Sequence, residues 1–286
     1  MQRAAVLLFF FDSIVPMPTF FRTSLYALAI LLFFAPPAKG QDAGRLFFFA
    51  IADLRDTVIG SDKDFLHLQA LGQEVADATG LELVPYYYPQ ETLAAYVLIE
   101  AIRNLECGPD DVIWFYYSGH GVAADRKAGD AATFRLGSYN FAIDRVHHEL
   151  LSRQPGLLLT FYDCCAYSTQ RPFAMRMAPM RGRAENYRRL FLETRGDLMV
   201  QSSSDQYAYG DPRIGGLFTY ALRRSMNYHL SGPESACSWP RILGMASRET
   251  AQMAHENDAR QVPFYVDNLR DRVLRLSPRG TFDTRP

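Results

Sequence analysis

Cysteine is scarce in this chain, with four in 286 residues and no two spaced as CxxC. That excludes a zinc ribbon and a thioredoxin-type redox pair, and it is too few for a disulfide-built scaffold of this length. An excess of charge of one sign is also missing. Thirty Lys and Arg stand against 31 Asp and Glu, a formal net charge of −1, so no global field directs the chain to nucleic acid or to an anionic bilayer. There is no internal repeat and no low-complexity tract, which sets aside solenoids and disordered arrays. The first strand-to-helix turn, Ala52–Ile59, reads ADLRDTVI and lacks the glycine-rich phosphate cradle of a dinucleotide fold. No dense acidic cluster and no Cys/His/carboxylate pattern offers a metal site. No cofactor is expected, and a calcium requirement would have no visible anchor.

Long hydrophobic runs are limited as well. Near the N-terminus, Arg22 precedes Ser24–Ala35 (SLYALAILLFFA), followed by Pro36-Pro37 and the small-x-small exit Ala38-Lys39-Gly40. The order predicts a signal peptide over residues 1–40, with Met17 as an alternative start. At 12 residues the run is short of the ~20 that cross a bilayer, so an N-terminal anchor is the second reading. Export to a periplasmic or secreted location follows, with a single domain over 41–275 and a tail over 276–286. In an oxidising compartment, Cys107 and Cys237 are the two cysteines available to pair.

From Arg45 onward, short apolar runs alternate with amphipathic stretches. Leu46–Ala52, Leu81–Tyr88, Val112–Tyr117, Leu157–Tyr162, Leu198–Gln201 and Val262–Val266 read as strands, and Pro85 marks the second as an edge or a bulge. Phe65, Leu68, Leu71 and Val75 recur at helical spacing before Gly80, and Leu93, Val97, Ala101 and Leu105 do so before Gly108-Pro109. Further helices are expected over Asp144–Ser152, Leu217–Asn227 and Ile242–His255, with His147 and His148 on an ordinary helix surface. Strand and helix in alternation predict a largely parallel sheet with helices on both faces.

Two of these strands run into reactive side chains. Val112–Tyr117 leads to Ser118-Gly119-His120-Gly121, and Leu157–Tyr162 leads to Asp163-Cys164-Cys165. In parallel sheets, chemistry collects at the carboxyl ends of the strands. The 45 positions from 120 to 165 accommodate one helical crossover between neighbours. A histidine beside a cysteine takes the thiol proton and yields a thiolate. The glycines flanking His120 let backbone approach a substrate, and the N–H groups of Gly121 and Cys165 are candidate oxyanion donors. Alternation puts Asp163 and Cys165 on one face and Cys164, buried, on the other. On this reading Cys165 and Cys164 both remain candidate nucleophiles, Cys164 being the less accessible.

FYYSGHG (Phe115–Gly121) and FYDCC (Phe161–Cys165), in this order, resemble the two active-site strands of clan CD cysteine peptidases, and above all the bacterial caspase-like and metacaspase-like proteins. SSSDQYAYG (Ser202–Gly210), GGLFTYAL (Gly215–Leu222) and RQVPFYV (Arg260–Val266) resemble the segments that follow the nucleophile there. The resemblance implies a caspase/hemoglobinase α/β fold, with about six mostly parallel strands between helices. It implies a cysteine endopeptidase acting on peptides or proteins, with His120 as base and Cys165 as nucleophile, the residue that the metacaspase Asp-x-Cys spacing also selects. No nucleic-acid partner is implied, and no membrane contact beyond the N-terminal signal. Asp163 and Asp205 fall where metacaspases line a pocket for a P1 Arg or Lys; Asp53 and Asp64, flanking the first loop, are further candidates. The chain departs from the family at Ala166-Tyr167, where a glycine after the nucleophile is missing. That departure keeps open a catalytically silent binding or regulatory module. The stretch Ala166–Arg195, with seven arginines, stands where caspase-like proteins carry a loop cut on activation; its plain alternative is a solvated basic helix over Ala184–Leu192. The oligomeric state is not legible.

Overall fold

The computed structural model describes residues 44–55, 57–89, 93–122, 132–164, 166–169, 181–203, 207–271, 275–276 and 282–283. The expected leader, Cys165, Asp205 and residues 170–180 of the arginine-rich stretch lie outside them. In chain order the elements are β1 (Arg45–Ala52), α1 (Ser61–Thr79), β2 (Glu82–Pro89), α2 (Ala95–Arg103), β3 (Val112–Gly119), β4 (Gly121–Val122), β5 (Thr133–Leu136), β6 (Tyr139–Ala142), α3 (Ile143–Leu151), β7 (Leu157–Cys164) and β8 (Ala166–Ser168). There follow α4 (Ala184–Arg188), which continues as a π turn to Glu193, then β9 (Thr194–Gln201), β10 (Ala208–Asp211), β11 (Gly215–Gly216), α5 (Leu217–Ser231), α6 (Trp239–His255), β12 (Phe264–Asp267) and β13 (Arg270–Asp271).

The central sheet has the order β12-β9-β7-β3-β1-β2, with β13 also on β9. All neighbours are parallel except β12 and β13, which both run antiparallel to β9. Pro85 sits in β2, an edge strand, where its missing N–H leaves no gap in the ladder. Because β1, β3 and β7 are interior, both of their faces are covered, which is why they read as continuous apolar runs.

The two faces make two cores. One joins Phe48, Trp114 and Phe161 of the sheet to Phe65, Leu68 and Leu71 of α1 and to α5 and α6. Trp114 meets Phe48 and Trp239 edge-on, at ring distances of 5.2 and 6.0 Å. The other joins Phe47, Phe49, Phe115 and Tyr162 to α2, α3 and Phe134. Each such buried side chain contributes about 1.5–3 kcal/mol relative to exposure. Gly72 lets α1 close on the sheet, since a Cβ there would stand 2.8 Å from Phe48. Cys107 packs against the second core and Cys237 lies inside the first, on the other side of the sheet. Both are free thiols, so the expected pairing does not form.

Several expectations change at the edges of the pattern. α2 stops at Arg103, leaving Leu105 buried beyond it. The arginine-rich helix is not simply solvated, because Tyr187, Leu190 and Phe191 enter the core. His147 is not a surface residue. It is 5% exposed, with Nδ1 2.7 Å from Thr160 Oγ1 and Nε2 3.1 Å from Asp197 Oδ2, so one imidazole satisfies two buried polar groups and ties α3 to β7 and β9. Two small sheets, β4-β5-β6 and β11-β10-β8, have strands too short to show a period. No helix among the described residues is long and apolar enough to cross a membrane.

Candidate active site

The site is built where β3 and β7 end side by side. Their parallel register pairs Ser118 with Asp163 and Gly119 with Cys164. One residue further along, the first strand carries His120 and the second carries Cys165. The His120 carbonyl is pinned from two directions: it accepts the Arg135 N–H at 3.0 Å and lies 2.8 Å from the Tyr117 hydroxyl. That hydroxyl also stands 2.7 Å from the Arg135 carbonyl, so it donates to one of the two at a time. Tyr117 is wholly buried and locks the turn to β5.

Gly121 follows in β4, against β5. A Cβ on it would stand 2.4 Å from the Thr133 carbonyl and 2.9 Å from Cys164 Sγ. Only glycine fits there, and the thiol that excludes a side chain is Cys164. Cys164 is 5% exposed and belongs to the second core, on the face opposite Asp163. Its thiol is therefore a packing group beneath the His120–Gly121 turn.

Asp163 turns to the first face but does not open to solvent. Its Oδ2 accepts the Thr219 N–H at 3.0 Å and the Thr219 hydroxyl at 2.7 Å, and Thr219 Oγ1 lies 2.8 Å from the Tyr116 hydroxyl. Beside it, Asp64 at the start of α1 accepts the Ser118 hydroxyl at 2.7 Å and the Gly216 N–H at 3.0 Å. Both acids flanking the first loop stand at the strand tips: Asp64 bonds Ser118 through its carboxylate, while Asp53 donates its N–H to the Ser118 carbonyl at 3.0 Å and accepts the Arg55 N–H on its carboxylate. Burial pushes the Asp64 carboxyl well above the ordinary carboxylate range, and the charge of Asp163 adds to this; the hydrogen bonds from Ser118 and Gly216 oppose it. Burial raises Asp163 too, against its bonds to Thr219. Asp64 was legible only as an acid in the right loop. Ser118, Thr219 and Gly216 carried no signal of their own beyond lying in the SGHG and GGLFTYAL segments.

The two-residue strand β11 covers this pair by means of glycine. A Cβ on Gly216 would meet Asp163 Oδ2 at 2.1 Å, and one on Gly215, whose φ is +90°, would meet Asp64 Oδ1 at 1.9 Å. On the outer side of the tips, β8 pairs with β10 and sets Tyr167 against Tyr207, with ring centres 4.3 Å apart and both side chains exposed. Among the described residues no group of His, Cys, Asp or Glu is arranged to hold a metal ion.

The family model of the caspase domain matches residues 57–274. Among solved structures the chain is similar to caspase-1 from Spodoptera frugiperda, at 12% identity over 80% of this chain and 90% of that one, with a TM-score of 0.49. It is also similar to pro-sf-caspase-1, at 13% identity over 78% and 90%, with a TM-score of 0.46. No curated protein matches the sequence. On the family model, which spans most of its length and both strand tips, the chain belongs to the caspase-domain family of cysteine peptidases.

Proposed function

We propose that the chain is a cysteine endopeptidase in which His120 draws the proton from Cys165 and the resulting thiolate attacks the scissile carbonyl. His120 then delivers a proton to the leaving amine. The N–H groups of Gly121 and Cys165 hold the oxyanion. The observation that carries this reading is the β3–β7 register, which brings the two strands to Gly119 and Cys164 as direct neighbours. The residue after each is the proposed base and the proposed nucleophile. No metal or cofactor is required by these steps.

A basic P1 residue is the proposed specificity. The two acids Asp64 and Asp163 stand beside the strand tips, and a carboxylate in a walled pocket binds a guanidinium through charge-assisted hydrogen bonds. Asp205 is proposed as a further member of that pocket by family resemblance. Export through the N-terminal segment is proposed on the sequence pattern alone.

The test is a panel of peptides with Arg, Lys or Asp at P1, cleaved by the full chain and by Cys165→Ala. Cleavage after Arg or Lys that Cys165→Ala abolishes is the expected result. Cleavage that survives in Cys165→Ala removes the nucleophile assignment. A second reading, a silent binding module, draws on the closure of the pair, with Asp64 at 0% and Asp163 at 4% exposure. Alkylation separates the two readings. A low-pKa Cys165 reacts with iodoacetamide much faster than the background left in Cys165→Ser, whereas the silent module shows no fast phase.

A further inference from the structure

Asp64 and Asp163 lie close together in the interior. Their Oδ2 atoms stand 3.2 and 2.1 Å from one point, the place of a Cβ on Gly216, so the two oxygens are separated by no more than the sum of those distances. Neither side chain has access to water that would screen its charge. Two carboxylates held this way do not both ionise without a compensating cation.

The charged and titratable groups around them are few. On α1, Asp62 is tied to Lys63 Nζ at 2.8 Å. Glu74, further along α1, is half-buried. His67 is neutral at physiological pH, since burial and Arg223 drive it down to about 4. On β3, the Tyr116 phenol is pushed far up by burial and stays protonated. At the end of β10, Asp211 is paired with Arg213. On α5, one turn after Thr219, stands Arg223. It is 5% exposed, its Nε and Nη1 find no acceptor among the described residues, and its charge acts on Glu74 and then on Asp64. A buried guanidinium thus lies within electrostatic reach of Glu74 and of Asp64.

The charge balance follows. With one proton between them, the two acids carry a single negative charge; with both ionised they carry two. The one charge of Arg223 is shared with Glu74, so ionising both acids needs a further cation beside them. We propose that this pair takes up the cationic side chain of the substrate in exchange for a proton: one proton is held between Asp64 and Asp163 while the site is closed, and an arriving guanidinium or amidinium expels it to solvent. The cation bonds to the carboxylates where Gly216 N–H now bonds to Asp64, so β11 withdraws as the ligand enters. In the occupied site the arriving cation faces both ionised carboxylates. This inference rests on the basic P1 reading given above and adds the proton that accompanies binding.

The experiment titrates benzamidine, as the minimal P1 cation, into the full chain carrying Cys165→Ala, by calorimetry in buffers of different ionisation enthalpy. The expected result is close to one proton released per benzamidine bound. Affinity should rise about tenfold per pH unit below the raised titration of the pair and level off above it. Asp64→Asn should weaken binding and bring the proton count to zero, with an unchanged circular dichroism spectrum showing that it folds. Benzamidine that binds with no proton exchanged and with an affinity independent of pH overturns the exchange while leaving the basic preference standing. Benzamidine that fails to bind at any pH removes the basic preference itself, and the exchange with it.

Discussion

Gly216→Ala is the most direct probe of the buried pair. Gly216 has φ −60° and ψ 137°, a conformation open to any residue, so alanine there meets no backbone strain. The added methyl would stand 2.1 Å from Asp163 Oδ2 and 2.9 Å from its Cγ, against an ordinary contact of 3.4–4 Å. The carboxyl group must therefore retreat, and it is held by the Thr219 N–H and hydroxyl at 3.0 and 2.7 Å. Losing those two bonds costs roughly 1–3 kcal/mol each. Stiffening the unfolded chain returns about 0.4–1 kcal/mol. The net expectation is a loss of about 1–6 kcal/mol, read as a lower urea midpoint at unchanged slope. In an Asp163→Ala background the obstructing oxygen is gone, and the same substitution should cost little, giving a coupling of about 1–6 kcal/mol in the double-mutant cycle. Gly215→Ala serves as the contrast, because its φ of +90° leaves a penalty that no change at Asp163 or Asp64 relieves. Wild-type stability of Gly216→Ala, or a cost that persists undiminished without Asp163, would refute the geometry on which both the closed pocket and the proton exchange depend.

Asp64→Asn should flatten the pH dependence of stability. A carboxyl raised in the fold above its ordinary 3.8 contributes stability that is complete below that value and is lost as pH rises through the folded pKa. Melting temperature against pH should therefore fall less from about pH 4 upward in the variant than in wild type. His147 behaves with the opposite sign. Burial lowers it from 6.5 despite Asp197, so its contribution is present above that value and is lost as pH falls through the folded pKa. His147→Ala should cost about 1–3 kcal/mol by removing the partner of the buried Thr160 hydroxyl, while Asp197 keeps its bond from Asn268 Nδ2 at 2.9 Å, and an unchanged melting temperature would show that the network is not formed. Cys164→Ala should keep the fast alkylation phase of Cys165, because Cys164 is a packing group; loss of that phase would move the nucleophile to Cys164. His120→Ala should lower the rate of peptide cleavage by about 10²–10⁴ with the fold intact, as expected for removal of a general base, and full activity in that variant would reassign the base.

The interior strands and the longer helices were legible because burial on both faces leaves a continuous apolar run, as in VIWFYY and LLLTFY, and burial on one face leaves a helical period, as in Phe65, Leu68 and Leu71. The candidate base and nucleophile were legible because they follow two such runs directly. Polar residues carry no comparable signal, since Asp64, Thr219, Arg223 and His147 have the same chemistry whether they face water or the core. Asp64 and Gly216 are 152 positions apart in sequence, and no local pattern announces that they meet. Sequence alone determined which segments become the sheet, its covering helices and the reactive strand ends, because hydrophobic burial is written in the spacing of apolar side chains. Only the tertiary structure decided that Asp64 and Asp163 are enclosed together beneath a glycine turn, with Arg223 near them, because that depends on which distant polar groups the packed helices bring within hydrogen-bond and Coulomb range.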